Sequence, residues 1–192
     1  MVTIYCSGSI IKGNASSKGR QVWTDTERRQ LADAALPVEV HFFNPDDPID
    51  TLDNTVGLFG RDMYQIQTAD FVVVDARERR GIGIGVEMAA SKLLHKTLVV
   101  VAPTNSYYRS ETLSFRGGTV DNYVHPHVQV LADAIVEDFE AAGVWIRESL
   151  SKPRHIKGLE AVYGSIEEYK REMLHLDAPM QLVLSLMEES DR

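Results

Sequence analysis

The sequence has few of the features that mark secreted, membrane-spanning or redox proteins. Its one cysteine, Cys6, excludes an internal disulfide. The apolar run at residues 98–102 is far shorter than the roughly 18 residues that a membrane helix needs. The first residues carry neither a basic lead nor a small-residue cleavage motif, so we expect no signal peptide. These absences predict a cytoplasmic protein without membrane contact.

Basic residues are also scarce. The chain has 20 lysines and arginines against 28 acidic residues, a net charge of −8. Domains that bind nucleic acid polymers usually present a basic face, so we exclude that class of partner. A small anionic ligand held by a few local cations stays compatible with this composition.

The apolar residues that are present alternate between two patterns. Short β-branched runs predict strands, and apolar residues three and four apart predict helices. The predicted strands are residues 2–7, 38–43, 71–75 and 97–102, and the predicted helices are residues 24–36, 54–69 and 84–95. Thr24 and Glu27 have the spacing of a capping box at the first of these helices. The alternation predicts a flavodoxin-like (Rossmann-like) doubly wound parallel sheet of four to five strands.

The second half of the chain is less regular. Residues 103–125 are polar and aromatic, which indicates a functional loop or a hidden short strand. Apolar spacing from Val128 onward predicts one long helix to about residue 150. We therefore expect an α/β domain at residues 1–150 and a helical extension at residues 151–192, packed on the same domain or on a partner subunit. Within the extension, Ser165 is expected to cap one helix, and residues 177–189 to form a terminal one.

The predicted topology locates a site. Ligands of open α/β sheets bind beyond the carboxyl ends of the strands, where the winding reverses. For strands ordered 2-1-3, the loops at residues 6–13 and 75–85 line one crevice there. The second loop leads into the stretch GIGIGVEMA at residues 81–89.

Three interpretations of that stretch compete. A dinucleotide fingerprint is disfavoured. That motif has the spacing G-x-G-x-x-G after the first strand and an acidic residue about 20 positions later, whereas this stretch is G-x-G-x-G after the third strand with no matching acid. A plain turn would put Glu87 in the first helical turn, where the helix dipole stabilises a carboxylate. In the third interpretation Glu87 is itself the reactive anion, and the positive end of the helix favours its ionised form. Gly81, Gly83 and Gly85 then let the backbone approach a substrate.

Asp62 supplies a second carboxylate. It borders the apolar stripe of the predicted helix 54–69, where an exposed structural acid is the alternative interpretation. Two carboxylates in different environments are the arrangement that cleaves glycosidic bonds. One attacks the anomeric carbon, and the other assists the leaving group.

The same residues carry a family resemblance. The motifs are IYCSGSI at residues 4–10, Arg61-Asp62, ADFVVV at residues 69–74 and GIGVEMA at residues 83–89. Over roughly residues 2–102 the chain resembles the nucleoside 2-deoxyribosyltransferase superfamily, and most of all its 2'-deoxynucleoside 5'-phosphate N-hydrolases. The resemblance implies a nucleoside or nucleotide substrate, no metal or organic cofactor, and a homodimer or higher homo-oligomer.

The resemblance also implies catalytic roles for individual residues. Glu87 would form an ester with the sugar C1', Asp62 would assist the departing base, and Tyr5 would lie beside the nucleophile. Water or a second base would resolve the ester, and we expect hydrolysis to be favoured over base exchange. A non-enzymatic nucleotide-binding module, in which Glu87 only stabilises its helix, is the alternative from another class.

Substrate contacts are expected from both crevice loops and from the aromatic segment after residue 103. At the positions of Gly81 and Ile11, the 5'-phosphate N-hydrolases have a serine and an arginine that bind the phosphate. A phosphate here would therefore need other cations, for which Lys12, Arg80, Arg109 and Arg116 are the candidates. The expected substrate-binding residues are Gly8, Ser9, Lys12, Arg80, Gly81, Gly83, Gly85, Tyr107 and Arg109. His125 and His127 form too small a set for a metal, and we interpret them as structural.

Overall fold

A parallel sheet organises the fold. The computed structural model describes residues 1–9, 22–45, 53–79, 81–152 and 155–190. The chain divides into two units, one from Met1 to Gly158 and one from Leu159 onward. The first unit holds the sheet and all of the candidate site residues.

The described residues form seven strands. These are β1 (Val2–Ser7), β2 (Val40–Phe43), β3 (Phe71–Asp75), β4 (Thr97–Val101), β5 (Arg109–Phe115), β6 (Gly118–Val124) and β7 (Ala134–Val136). Five of them pair in parallel in the order β2-β1-β3-β4-β7. The order begins 2-1-3, so the winding reverses between β1 and β3. The flavodoxin-like prediction is confirmed.

Helices cover both faces of this sheet. The first unit contains α1 (Asp25–Ala35), α2 (Thr55–Thr68), α3 (Ile82–Leu93), α4 (Pro126–Leu131) and α5 (Phe139–Ser151). The second contains α6 (Glu160–Glu172), a 3₁₀ turn (Leu174–Leu176) and α7 (Ala178–Ser190). The predicted capping box at Thr24 and Glu27 is present. Among the helices described, none is long and apolar enough to cross a bilayer.

The long helix predicted from Val128 to residue 150 is wrong. The segment instead forms α4, the fifth sheet strand β7 and α5. The buried Asp133 carboxylate accepts from the Leu98 main-chain N–H at 2.7 Å, which ties the chain to the edge of β4. Asp138 then caps a new helix by accepting from Ala141 N–H at 2.7 Å. Each of these three short elements contributes apolar residues, and the combined spacing of those residues resembles the pattern of one long helix.

Residues 103–125 contain more regular structure than expected. Strands β5 and β6 form an antiparallel hairpin, and Arg116 and Gly117 at its turn have positive φ. The helix predicted to start at Ser165 starts at Glu160 instead, and the Ser165 hydroxyl donates to the Ala161 carbonyl one turn back. A serine that bonds its own helix in this way does not act as a cap.

Side chains along β1 alternate between the two faces of the sheet, and this alternation positions the site. Ile4 and Cys6 join the buried cluster packed by α1 and α5, whereas Tyr5 joins the cluster on the α2 and α3 side. Side chains two apart in a strand share a face. Ser7 therefore projects on the same side as Tyr5, toward α2 and α3.

Close packing of α1 on α5 makes Gly143 a sensitive position. A Cβ at Gly143 would lie 2.2 Å from the Leu31 carbonyl oxygen and 2.9 Å from Ala34 Cβ. We expect Gly143→Ala to lower the free energy of unfolding by about 1–3 kcal/mol through overpacking. Urea unfolding measures this change. The matched control is Gly60→Ala in α2, where the new Cβ meets no atom within 4 Å, and stability should rise by up to about 1 kcal/mol. Equal effects of the two substitutions would contradict the packing account.

Candidate functional site

A hydrogen bond joins the end of β1 to α3. Ser7, the last residue of β1, donates from Oγ to Glu87 Oε2 at 2.5 Å. Ser7 is fully buried, and its carbonyl accepts from Trp23 Nε1 at 3.0 Å. The serine is thus fixed from both its main chain and its side chain. It holds the Glu87 carboxylate at the carboxyl edge of the sheet.

Tyr5 stands behind this pair. Its hydroxyl oxygen is buried and has no partner at full hydrogen-bonding geometry among the described residues, yet it is near enough to Glu87 to favour the carboxylate. Burial, followed by the charges of Glu87 and Asp62, raises the pKa of Tyr5 far above its ordinary value. Tyr5 therefore keeps its proton and can only donate toward the anion.

The pKa of Glu87 reflects opposing effects. Burial raises this pKa above its ordinary value, and the negative charge of Asp62 raises it further. The hydroxyls of Ser7 and Tyr5 lower it in part, because they donate to the ionised form. No lysine or arginine of the described chain pairs with Glu87, so two hydroxyls rather than a cation support its charge.

Sequence analysis expected the helix end to support that charge, and this expectation is wrong. Helix α3 begins at Ile82 and has no acidic residue in its first turn. Glu87 lies in the second turn, where the influence of the helix dipole has largely faded. The buried end of β1 replaces the helix terminus as the source of stabilisation.

Asp62 reaches the same place from α2. It is half-buried and acts electrostatically on both Glu87 and Tyr5. The neighbouring Arg61 donates to the carbonyls of Pro45 and Asn44, at 3.0 Å and 3.4 Å, and so fixes this turn of α2. The structure thus brings together the three residues expected to be catalytic. We call Tyr5, Ser7, Asp62 and Glu87 the Glu87 site.

Gly8 and Ser9 directly follow this site in the chain. A Cβ on Gly8 would lie 2.6 Å from Trp23 Cδ1, so the close approach of the indole ring requires a glycine here. Sequence analysis assigned Gly8 to the substrate and missed Trp23. Gly83 borders the carboxylate, since a Cβ there would meet Glu87 Oε1 at 3.9 Å. The predicted contacts Lys12 and Arg80 lie outside the described residues.

Three other predicted contacts lie elsewhere. Gly81, Gly85 and Tyr107 line a separate cleft of about 570 Å³, to which Glu87 does not contribute. Residues two apart on a helix point to nearly opposite sides. Gly85 and Glu87 therefore face different surroundings, and the single crevice expected from sequence is two places in the structure.

Arg109 is engaged by a carboxylate. Its Nη1 atom lies 2.6 Å from Glu137 Oε1 and donates to the Ala102 carbonyl at 3.3 Å. Ala102 follows β4 and Glu137 follows β7, and both strands lie on the far side of β3 from β1. The structure does not bring Arg109 to the Glu87 site.

The loop after β3 contains an ion-pair network that sequence analysis missed. Arg77 forms a double contact with the buried Asp75 carboxylate, at 2.9 Å and 3.0 Å, and contacts Glu27 at 3.0 Å. Its guanidinium also lies 4.8 Å from the centre of the Phe139 ring. The available signal was an aspartate at a strand end with an arginine two residues later. This network fixes the path of the chain into α3.

Comparisons with known proteins agree with this architecture. No protein-family model and no curated protein matches the chain. Among solved structures, a 2-desoxiribosyltransferase from Leishmania mexicana matches with a TM-score of 0.51 at 19% identity, over 77% of this chain and 98% of that one. A 2-deoxyribosyltransferase from Bacillus psychrosaccharolyticus matches with a TM-score of 0.50 at 15% identity, over 73% and 90%. The chain therefore shares the fold of these two 2-deoxyribosyltransferases.

Proposed function

We propose that the protein cleaves the N-glycosidic bond of a deoxynucleoside or nucleoside, free or as its 5'-monophosphate, with Glu87 as the nucleophile. The observation that carries this proposal is the Glu87 carboxylate held by Ser7 between β1 and β3, without a neutralising cation among the described residues. The fold shared with two proteins named as 2-deoxyribosyltransferases supports the same chemistry.

In the first step a Glu87 oxygen attacks C1' of the sugar. The C1'–N bond breaks, its electron pair leaves with the base nitrogen, and a glutamyl ester forms. The base nitrogen takes up a proton as it departs. We assign its delivery to Asp62, which would hold the proton of this carboxylate pair while Glu87 is ionised. Glu87 reacts in its ionised form, which the Ser7 and Tyr5 hydroxyls favour.

In the second step an acceptor attacks C1' from the face the base has left. The ester C–O bond breaks, the carboxylate is regenerated, and the acceptor gives up its proton. Two displacements at one carbon restore its original configuration. The acceptor is a second base or water. The sequence favours water, whereas the two structural neighbours favour a base, so we propose base transfer with hydrolysis as the competing outcome.

The C-terminal helices bear on assembly. Helices α6 and α7 bury none of their residues, and apolar side chains such as Ile166 and Leu186 are exposed. Exposed apolar faces of this kind usually meet a partner surface. This exposure supports the proposal that the extension contributes to a homodimer or higher homo-oligomer.

Replacing Glu87 by glutamine tests the proposed nucleophile. We expect turnover to fall by roughly 1000-fold or more, because the amide cannot form the ester. The measurement is chromatography of a panel of deoxynucleosides and their monophosphates, each incubated with a second free base. The wild-type protein should yield a new nucleoside containing the second base.

Two controls accompany this panel. Glu137→Gln removes a carboxylate at the same edge of the sheet, and it should retain turnover.

Burial raises the pKa of Glu87, so ionising this group costs the folded state free energy. Glu87→Gln should therefore unfold at a higher temperature at pH 7, and this gain should vanish as the pH falls through the raised pKa of Glu87 to the ordinary glutamate value. Free base without a new nucleoside would identify a hydrolase. No release of base from any compound would leave only a binding module.

The pH dependence of turnover tests the role of Ser7. Ser7→Ala removes a donor that lowers the pKa of Glu87, so the acidic limb of kcat/KM should move to higher pH. The matched control is Ser91→Ala on the same helix, where the hydroxyl donates to the Glu87 carbonyl at 2.7 Å instead of the carboxylate. A limb that stays in place in Ser7→Ala, or moves equally in both variants, would show that Glu87 does not set it.

A further inference from the structure

The cleft beside α3 has the size and the lining of a small-molecule site. Its volume is about 570 Å³, and ligand sites of 300–1000 Å³ are usual. Its floor is apolar, with Ile84, Met88 and Val128 all buried. An apolar floor of this size accommodates a flat ring, and it leaves specificity to the groups at the rim.

Aromatic rings form one wall of this cleft. Tyr107 and Tyr108 pack edge to face with centroids 5.0 Å apart, and Tyr108 and His125 do so at 5.5 Å. The series continues from His125 to His127 at 5.0 Å. Tyr107 keeps about half of its surface exposed, so packing within the chain does not use up its ring. We call this site, with the glycine side of α3, the aromatic cleft.

A cation lies at the rim. The Arg79 guanidinium lies 5.4 Å from the centre of the Tyr107 ring, at the distance of a cation–π contact. The residue is exposed and pairs with no acidic group of the described residues. An arginine that lies over a tyrosine ring and has no acidic partner within the described ranges is suited to an anion carried by an aromatic ligand.

His125 adds a directional polar group. Its Nδ1 accepts from the His127 main-chain N–H at 3.4 Å, which leaves the proton of the neutral ring on Nε2. Burial, followed by the charge of His127, lowers the pKa of His125 below its ordinary value. The ring is therefore neutral at pH 7, and Nε2–H is a donor suited to a heterocyclic nitrogen or carbonyl oxygen.

The aromatic cleft is distinct from the Glu87 site. Gly85 and Ala89 line it, and Glu87 lies two residues from each on the opposite side of α3. Gly81 and Gly85 also have open space where a side chain would project. Their lack of a side chain keeps this side of the helix accessible to a ligand.

We propose that the aromatic cleft is a second binding site, which takes a planar heteroaromatic ring carrying an anionic group, as in a nucleoside 5'-monophosphate. The ring lies against Tyr107 over the apolar floor, and Arg79 contacts the anion. This inference does not depend on the reaction proposed for Glu87.

Methyl-labelled methionine tests the proposal by NMR. Of the six methionines, Met88 lines the aromatic cleft, whereas Met63 follows Asp62 in α2. The Glu87→Gln protein is titrated with adenosine 5'-monophosphate and, separately, with adenosine. We expect a saturable shift of the Met88 resonance and weaker binding of adenosine, by about tenfold, because adenosine lacks the anion.

Three variants complete the test. Arg79→Gln should remove the preference for the monophosphate over adenosine. Arg116→Gln, whose guanidinium lies 5.1 Å from the Phe115 ring on the hairpin, is the matched control and should keep that preference. Gly85→Leu should abolish the Met88 response by filling the cleft, and it should fold because a helical glycine gives way to a strong helix former.

The outcomes separate this site from the proposed reaction. A Met63 response without a Met88 response would place the nucleotide only beside residue 87 and overturn the proposal. A Met88 response that persists unchanged in both Gly85→Leu and Arg79→Gln would overturn it as well. A Met88 response lost in Gly85→Leu would support the aromatic cleft even if the protein released no base from any nucleoside.

Discussion

The candidate site depends on one hydrogen bond, from the last residue of β1 to a glutamate in the second turn of α3. Burial raises the pKa of Glu87 and so favours the protonated carboxyl, which is a poor nucleophile. The Ser7 hydroxyl opposes that effect by donating to the carboxylate. A lysine or arginine would also oppose it, but would neutralise the negative charge. Trp23 fixes the Ser7 carbonyl, and the glycine at position 8 leaves room for the indole ring. The reactivity proposed for the carboxylate thus follows from the way β1 ends.

Helix α3 presents two different faces to its surroundings. One face presents Glu87 to Ser7, Tyr5 and Asp62, and the other presents glycines to the aromatic cleft. Gly83 lies beside the carboxylate, whereas Gly81 and Gly85 belong to the opposite side of the helix. A helix used on both sides accounts for a stretch that fits no single nucleotide-binding motif.

Much of this fold was predictable from sequence, because local signals and tertiary packing agree. Strand β3 was predicted at its observed bounds, since a β-branched run buried on both faces has few alternatives. The split at residues 132–138 was not predictable in the same way. There the decisive groups are the carboxylates of Asp133 and Asp138, whose partners are known only from coordinates.

The site shows the same division. Glu87, Asp62 and Tyr5 were identified from residue type and motif, and the structure brings them together. Ser7 and Trp23 were missed, because their importance lies in contacts across the sheet edge. The ionised form of Glu87 was attributed to the start of α3. Whether Glu87 lies in the first or the second turn depends on the first residue of the helix, which only the structure gives.

The most direct test of the central claim is the mass of the Glu87 peptide in a quenched reaction. The protein is mixed with a deoxynucleoside, stopped in acid during turnover and digested for mass spectrometry. The account predicts one added deoxyribosyl group, mapped to Glu87, that disappears when a second base is supplied before the quench. Release of base with no added mass on any peptide would contradict it, because the sugar would then pass to its acceptor without an ester on the protein.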